Sequence, residues 1–147
     1  MAERYVILET NVDDCTPEML SYLTERVMNE DALDIQIIST LMKKGRYGFL
    51  IRIISKEGDA EKFSKILMEE TGTLGVRVIP AIERYETKRE IVEKEIKIFG
   101  NIERIRVKKS KYNMKPEFDD LRRICIKYRI PFREALKMVK SIIDDSQ

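Results

Sequence analysis

Apolar and polar positions in the first 86 residues form two kinds of pattern, which predict four strands and two helices. Runs rich in β-branched and apolar residues indicate strands at 4–12, 31–42, 47–55 and 74–86. Apolar residues three and four positions apart indicate helices at 16–29 and 56–72. The resulting βαββαβ order is that of a ferredoxin-like unit.

The remaining residues, 87–147, predict a charged hairpin followed by two helices. Strands are expected at 89–99 and 102–110, with a Gly-Asn turn between them. Pro116 is expected to open a helix to about Tyr128, and Pro131 a second helix to about Ile143. We therefore predict an α+β protein with a ferredoxin-like subdomain, 1–86, and a ββαα subdomain, 87–147.

Composition narrows the possible functions. Of the 147 residues, 43% are hydrophobic, which is enough for a core, and the net charge of +2 is too balanced to indicate nucleic-acid binding. The chain has no histidine, which excludes a Ser-His-Asp or Cys-His catalytic site and an imidazole metal site within it. Cys15 and Cys125 lack metal-ligand spacing. Without a signal peptide or a long apolar run, the chain is predicted to be cytoplasmic.

The segment NVDDCTPE, residues 11–18, places two carboxylates where the first strand ends and a helix begins. Thr16 is predicted to cap that helix, with Pro17 at its first position. Asp13 and Asp14 could themselves cap the helix or face solvent, because carboxylates favour helix N-termini. They could also bind a hard cation through oxygen, with Glu18 as a third ligand.

Two further segments carry groups that suit phosphate. The loop MKKGRYG, residues 42–48, brings together Lys43, Lys44 and Arg46, and is either a solvated hairpin tip or a polyphosphate site. The segment EETGTLGVR, residues 69–77, offers Thr73 and Arg77 after a glycine that is expected to end the helix. Neither segment contains a Walker-type loop.

The stretch RIRVKKSKYNMK, residues 104–115, contains six basic residues and no acidic one. It is either the solvated face of the predicted hairpin or a binding patch.

These segments resemble, in the same order, the C-terminal domain of the LarC nickel-insertion proteins. The resemblance rests on LETNVDDCTPEMLSYLTE, MKKGRYG, EETGTLGVR with ERYETKRE, and KYNMKPEFDDLRRIC, and it covers residues 5 to about 140. It implies a CTP-dependent nickel chelatase, a lyase that cleaves CTP to CMP and pyrophosphate. The nickel enters pyridinium-3,5-bisthiocarboxylic acid mononucleotide, completing the nickel-pincer nucleotide cofactor.

Roles for individual residues follow from that resemblance. Asp13 and Asp14, with Glu18, would hold the Mg²⁺ or Mn²⁺ bound to CTP and serve in catalysis. The triphosphate would be bound by basic and hydroxyl side chains, namely Lys43, Lys44, Arg46, Thr73, Arg77 and Lys109. The resemblance further implies a homo-oligomer, a trimer or hexamer.

The sequence departs from the family in two respects. It lacks the histidine-rich N-terminal region associated with nickel, so it is expected to be an excised domain or a split-gene product that captures nickel poorly alone. Tyr47 also stands where the family commonly has proline.

Two other functions stay open from the sequence. The chain could be a non-catalytic domain that binds a small effector and oligomerises. It could less readily be an RNA-binding module, because its strands lack the aromatic pair typical of RNA-binding ferredoxin-like sheets.

Overall fold

Within residues 3–145, the part of the chain that the computed structural model describes, there are seven strands, four α-helices and two short 3₁₀-helices. They form two units, Met1–Arg84 and Tyr85–Gln147, each with its own hydrophobic core. The elements of the first unit are β1 Tyr5–Val12, α1 Pro17–Asn29, β2 Asp34–Leu41, β3 Tyr47–Lys56, α2 Ala60–Thr71 and β4 Arg77–Ala81. Those of the second unit are β5 Arg89–Ile98, β6 Asn101–Ser110, β7 Met114–Pro116, α3 Phe118–Tyr128 and α4 Phe132–Asp144.

The first unit is a four-stranded antiparallel sheet with strand order β2-β3-β1-β4. Every second residue of β1, including Val6, Leu8 and Val12, is buried and joins the core that contains α1 and α2. The residues between them lie on the other face of the sheet, because successive strand side chains point in opposite directions. The ferredoxin-like prediction is confirmed.

Local sequence signals fix the helix ends of this unit. The Thr16 hydroxyl accepts a hydrogen bond from the Met19 backbone N–H at 3.3 Å, and Pro17 is the first helical residue. Gly72 ends α2 with a φ of 69°, in the left-handed region where glycine carries no steric penalty. Both predicted boundaries are confirmed.

Strand β4 is shorter than the predicted strand at 74–86. It pairs only with β1, from Arg77 opposite Glu9 to Ala81 opposite Tyr5. The pairing ends there because Tyr5 is the first residue of β1.

The second unit contains a strand that the sequence did not predict. Strand β7 pairs antiparallel with β6 and gives the order β5-β6-β7. Pro116 was expected to open a helix, but it is the last residue of β7, and α3 begins at Phe118. Proline is tolerated there because β7 is an edge strand, which needs fewer backbone donors. The hairpin turn is Phe99–Gly100 rather than Gly-Asn, and both residues have positive φ.

Strand β6 contributes a buried carboxylate to the second unit. Glu103 is 3% exposed and lies beside the core formed by β5, β6, α3 and α4. It accepts hydrogen bonds from Lys127, from Tyr128 Oη at 2.6 Å and from Arg123 Nη1 at 2.7 Å. These donors outweigh the cost of burial and lower the pKa of Glu103 from 4.5 to about 2.

None of the helices in residues 3–145 is long and apolar enough to cross a membrane.

The lowered pKa of Glu103 predicts an acid-dependent loss of stability in the second unit. A carboxylate with a depressed folded-state pKa stabilises the fold above its unfolded pKa, and that stabilisation is lost as the pH falls. Glu103 should therefore contribute fully above about pH 4.5 and lose its contribution progressively towards pH 2. Urea unfolding followed by circular dichroism from pH 7 to pH 2 measures this loss.

In Glu103→Gln this component of the pH dependence should be absent. We also expect the free energy of unfolding to fall by about 1–2 kcal/mol at pH 7. This is below the usual cost of breaking a buried pair, because the Arg123 and Lys127 side chains are 45% and 53% exposed and can rehydrate. An unchanged pH profile in the variant would contradict the assignment.

Candidate functional site

The paired aspartates lie in the bend between β1 and α1, and both are exposed. Because Thr16 caps α1, neither carboxylate is needed as the cap. Asp13 instead forms an ion pair with Arg46, whose Nη1 donates to Asp13 Oδ2 at 3.0 Å. This contact joins two of the sequence segments that the family resemblance had singled out.

The loop between β2 and β3 presents its cations on a tight turn. The Met42 backbone N–H donates to the Arg46 carbonyl at 2.7 Å, and Lys44 and Gly45 have φ values of 63° and 71°. The side chains of Lys43 and Lys44 are exposed, and neither has an ion-pair partner among the described residues. The turn that contains Arg46 therefore also carries two lysines that have no counterion among the described residues.

Gly48 allows β3 to approach the end of β1 closely. A Cβ atom at this position would lie 2.4 Å from the Val12 carbonyl oxygen, 3.2 Å from Asp13 Cα and 2.5 Å from Met42 Sδ. The first two atoms belong to the backbone and cannot rotate away. The missing side chain thus sets the separation between the cationic loop and the aspartates.

The segment 69–77 is held against β1 by hydrogen bonds of hydroxyl groups. Thr10, which is 1% exposed, lies with its Oγ1 2.6 Å from Thr73 Oγ1 and donates to the Gly75 carbonyl at 2.9 Å. The Thr73 hydroxyl is therefore already engaged in holding the α2–β4 connection. It remains partly accessible, because the bond is only part-buried.

Arg77 lies on the opposite face of the sheet from Thr10. Its Nη2 donates to Asn11 Oδ1 at 2.7 Å, and its Nε lies 3.7 Å from Glu9 Oε2. Glu9 also accepts from Arg52 at 2.5 Å and 2.8 Å, so it is shared between two guanidinium groups. Arg77 is thus held along β1, and the carboxylate that balances its charge, Glu9, is shared with Arg52.

Antiparallel pairing brings these three segments to one end of the first-unit sheet. Strand β1 ends where β3 begins, since Val12 lies opposite Phe49. Strand β2 ends at the same place, since Leu41 lies opposite Tyr47. Strand β4 begins beside β1, since Arg77 lies opposite Glu9. The structure therefore brings together segments that are more than 60 residues apart.

The two remaining predicted site residues are Glu18, on α1, and Lys109, in the second unit. Glu18 is exposed in the first turn of α1, and no group of three or more acidic or cysteine side chains within residues 3–145 is arranged to hold a metal ion. Lys109 belongs to the second unit, where it is exposed and lies opposite Glu90 on β5. The first unit thus offers Asp13 and Asp14 as carboxylate ligands, which suits a cation that takes its other ligands from phosphate and water.

The sequence reasoning missed three residues on β1 that orient the site. They are Glu9, Thr10 and Asn11, the first and third on the open face and the second on the buried face. Strand alternation marks Thr10 as a buried hydroxyl in need of a partner. The identity of that partner depends on the β1–β4 register, which no local signal specifies.

Cys15 lies next to the aspartates but is suited to packing rather than to nucleophilic chemistry. Its Sγ lies 3.9 Å from the Thr71 carbonyl oxygen, and it packs against the first-unit core. Burial, and secondarily the charge of Asp14, raise the pKa of the Cys15 thiol. A thiol with a raised pKa is mostly protonated at neutral pH and is a weak nucleophile.

Comparison with known proteins identifies the family. The family model described as "Nickel insertion protein" matches residues 1–136. The chain belongs to this family. Two curated relatives, from Methanosphaera stadtmanae and Methanocaldococcus jannaschii, are named as provisional nickel insertion proteins and are 42% and 44% identical to it. Their alignments cover 91% and 93% of this chain but only 34% and 36% of the relatives, so the chain spans about a third of their length.

Solved structures match the fold over both units. One is described as LarC2, the C-terminal domain of a cyclometallase involved in the synthesis of the NPN cofactor of lactate racemase, in its apo form. Its TM-score is 0.85 at 23% identity, covering 98% of this chain and 99% of that one. A protein from Methanopyrus kandleri AV19 matches with a TM-score of 0.67 at 25% identity, over 93% of this chain and 84% of that chain. The predicted family resemblance is confirmed.

The close approach at Gly48 predicts a specific sensitivity to a single methyl group. Gly48→Ala should lower the free energy of unfolding of the first unit by about 1–3 kcal/mol, because backbone atoms of Val12 and Asp13 must move. Thermal or urea unfolding measures the effect.

Gly58 provides the matched control. A Cβ atom there would meet no heavy atom within 4 Å. Gly58→Ala should therefore change the stability by less than about 0.5 kcal/mol. Equal stability of the two variants would show that β3 does not need the close approach.

Proposed function

We propose that this chain is the nucleotide-binding part of a nickel insertion protein and binds CTP together with Mg²⁺ or Mn²⁺. The observation that carries the proposal is the 3.0 Å Asp13–Arg46 pair beside Lys43 and Lys44, which have no ion-pair partner among residues 3–145. This end of the sheet offers oxygen ligands for a hard cation and nitrogen donors for phosphate within one short span. A metal–triphosphate complex needs both kinds of group.

Each part of the site has a role in this proposal. Asp13 and Asp14 hold the divalent cation, whose charge offsets that of the triphosphate. Arg46 supplies a planar fork for two phosphate oxygens, and Lys43 and Lys44 supply mobile point charges. Thr73 and Arg77 add further phosphate contacts.

The proposed reaction is carried by the longer protein of which such chains cover about a third. That protein inserts nickel into pyridinium-3,5-bisthiocarboxylic acid mononucleotide, with cleavage of CTP to CMP and pyrophosphate. Nickel is cargo here, delivered by the histidine-rich N-terminal region. This chain contains no histidine to capture it, and its contribution is to bind and orient the nucleotide.

Self-association is part of the same proposal. Leu41, Leu74 and Ile82 are 69%, 100% and 92% exposed, and all three lie in the first unit. Large apolar side chains at such exposure favour burial against another surface. A homo-oligomer, as a trimer or hexamer, would supply that surface.

Isothermal titration of CTP, ATP and GTP with and without Mn²⁺ tests the nucleotide site. The chain should bind CTP in preference to the others and only with the divalent cation. Asp13→Ala/Asp14→Ala should weaken this binding by roughly 100-fold, because the cation loses its protein ligands. The matched control is Asp144→Ala/Asp145→Ala, which removes another adjacent, exposed aspartate pair, at the end of α4, and should bind normally.

Other outcomes would contradict the proposal in distinct ways. If the folded chain binds no nucleotide, the nucleotide-binding role is wrong. If CTP binds but is never cleaved with the N-terminal region supplied in trans, the chain is an effector-binding or assembly domain. If binding survives the Asp13→Ala/Asp14→Ala change, the aspartates are not cation ligands.

A further inference from the structure

Strand β2 is an edge of the first-unit sheet that lacks the usual protection against pairing with another strand. One side of β2 pairs with β3, and the other side carries no strand within residues 3–145. Its sequence, DIQIISTL, contains one charged residue, Asp34 at its start, and neither proline nor lysine. A sheet edge that is long, apolar and uncharged is a template for further strand pairing.

The other sheet edges in the described part of the chain are protected. Strand β4 has five residues and contains Pro80, which has no backbone N–H to donate. Strand β7 has three residues, two of which are Lys115 and Pro116. Strand β5 is long but rich in glutamate and lysine, with the sequence REIVEKEIKI. Short length, proline and charge are the usual means by which a sheet edge avoids association, and β2 has none of them.

The β2–β3 register identifies the backbone groups on the free edge of β2. The Met42 N–H donates to the Arg46 carbonyl at 2.7 Å, one position beyond the pair Leu41–Tyr47. Hydrogen-bonded and non-hydrogen-bonded pairs alternate along an antiparallel ladder. The even-numbered residues of β2 therefore bond to β3, and the odd-numbered residues direct their N–H and C=O groups to the free edge, at positions 35, 37, 39 and 41. The first of these N–H groups donates to its neighbour, the Asp34 carboxylate, at 2.9 Å.

Side chains of β2 also lack cover. Ile37, Ile38 and Leu41 are 36%, 41% and 69% exposed. Strand alternation places Ile38 on the open face of the sheet and the other two on the face that carries the helices. The Thr40 hydroxyl oxygen is buried and has no hydrogen-bond partner among the described residues. Buried hydroxyls without a partner are uncommon, and this one lies on the unprotected edge strand.

We propose that β2 pairs antiparallel with β2 of a second copy of this chain, about a twofold axis that passes between the two Ile38 residues. The two four-stranded sheets then form one continuous sheet. In this register all the outward-directed backbone groups of β2 lie in hydrogen-bonded pairs, because Ile35 lies opposite Leu41 and Ile37 lies opposite Ser39.

The same register is compatible with the polar side chains of the strand. Asp34 lies opposite Met42, so no charged side chain meets a like charge. Gln36 of the second copy lies opposite Thr40, and its amide is a donor of the kind that the Thr40 hydroxyl lacks. The apolar residues of β2 meet those of its copy on both faces of the sheet.

The alternative of pairing β2 with β4 of another copy is less favourable. The free edge of β4 lacks a donor at Pro80 and has five residues to offer against the eight of β2. Twofold pairing of β2 with itself uses the whole strand and leaves no unprotected edge in the dimer.

This inference rests on the self-association in the proposed function, to which it adds a surface and a symmetry. A twofold interface produces an even number of copies, which agrees with a hexamer and excludes a trimer alone. The metal and nucleotide ligands have no part in it, so the CTP titration and the test below can fail independently.

The test is the mass of the chain in solution, measured by sedimentation equilibrium over a range of protein concentrations. The wild-type chain should form an even number of copies. Ile38→Lys should raise the dissociation constant of the twofold interface by roughly 100-fold, because two like charges then face each other across it. Ile38→Glu should have the same effect. An equimolar mixture of the two variants should recover the association, because opposite charges then meet.

Ile79→Lys is the matched control, since it makes the same change on the other edge strand, at a residue 42% exposed against 41% for Ile38. This variant should keep the twofold pairing. Hydrogen exchange of residues 34–41 gives a second measurement, because their amides should exchange more slowly as the protein concentration rises. That slowing should be absent in Ile38→Lys, and unfolding curves should show that each variant is folded.

Several results would overturn the inference. A wild-type trimer, or a mass that neither Ile38 variant changes, would exclude the β2 pairing and leave self-association in place. A chain that is monomeric at every concentration would exclude both. Failure of the mixed variants to associate would show that the two Ile38 positions do not face each other. Slow exchange of residues 34–41 that does not depend on concentration would mean that another part of the same chain covers the edge.

Discussion

Strand β1 forms backbone hydrogen bonds along both of its edges, and this pairing determines where the side chains of the first-unit site lie. The strand pairs with β3 over its whole length and with β4 over its first five residues. Because both pairings are antiparallel, the end of β1 meets the β2–β3 loop and the approach to β4. Arg46 meets Asp13, and Arg77 meets Asn11, for this reason and not because of attraction among charges, which at exposed positions contributes little. Gly48 then sets how closely β3 can approach the end of β1.

The features that could be predicted from sequence are those with a local physical cause. Thr16 and Pro17 start α1, and Gly72 ends α2, because capping and left-handed φ are properties of a few neighbouring residues. The ferredoxin-like order of elements also follows from apolar patterns that each lie within one strand or one helix. The burial of Glu103 could also be predicted, since strand alternation places it on the same face as Ile105. A buried carboxylate must find donors, and α3 provides them.

The features that could not be predicted depend on register between distant segments. Strand β7 is three residues long and forms because β6 offers it an edge for pairing, whereas its sequence alone predicts the start of a helix at Pro116. The partner of Arg77 is Asn11, 66 residues away, and only the β1–β4 pairing reveals it. The proposed nucleotide-site residues follow from the family resemblance, which does not show why such pairings occur.

The Asp13–Arg46 ion pair explains why the ligand of the first-unit site should bring its own cation. Arg46 is held by Asp13 at 3.0 Å, so a free phosphate arriving there would meet a carboxylate as well as a guanidinium. A ligand that brings its own cation avoids repulsion by the carboxylate and does not leave it unpaired. The carboxylates then bind the cation, and the arginine binds the phosphate. Metal dependence is therefore expected at the first-unit site.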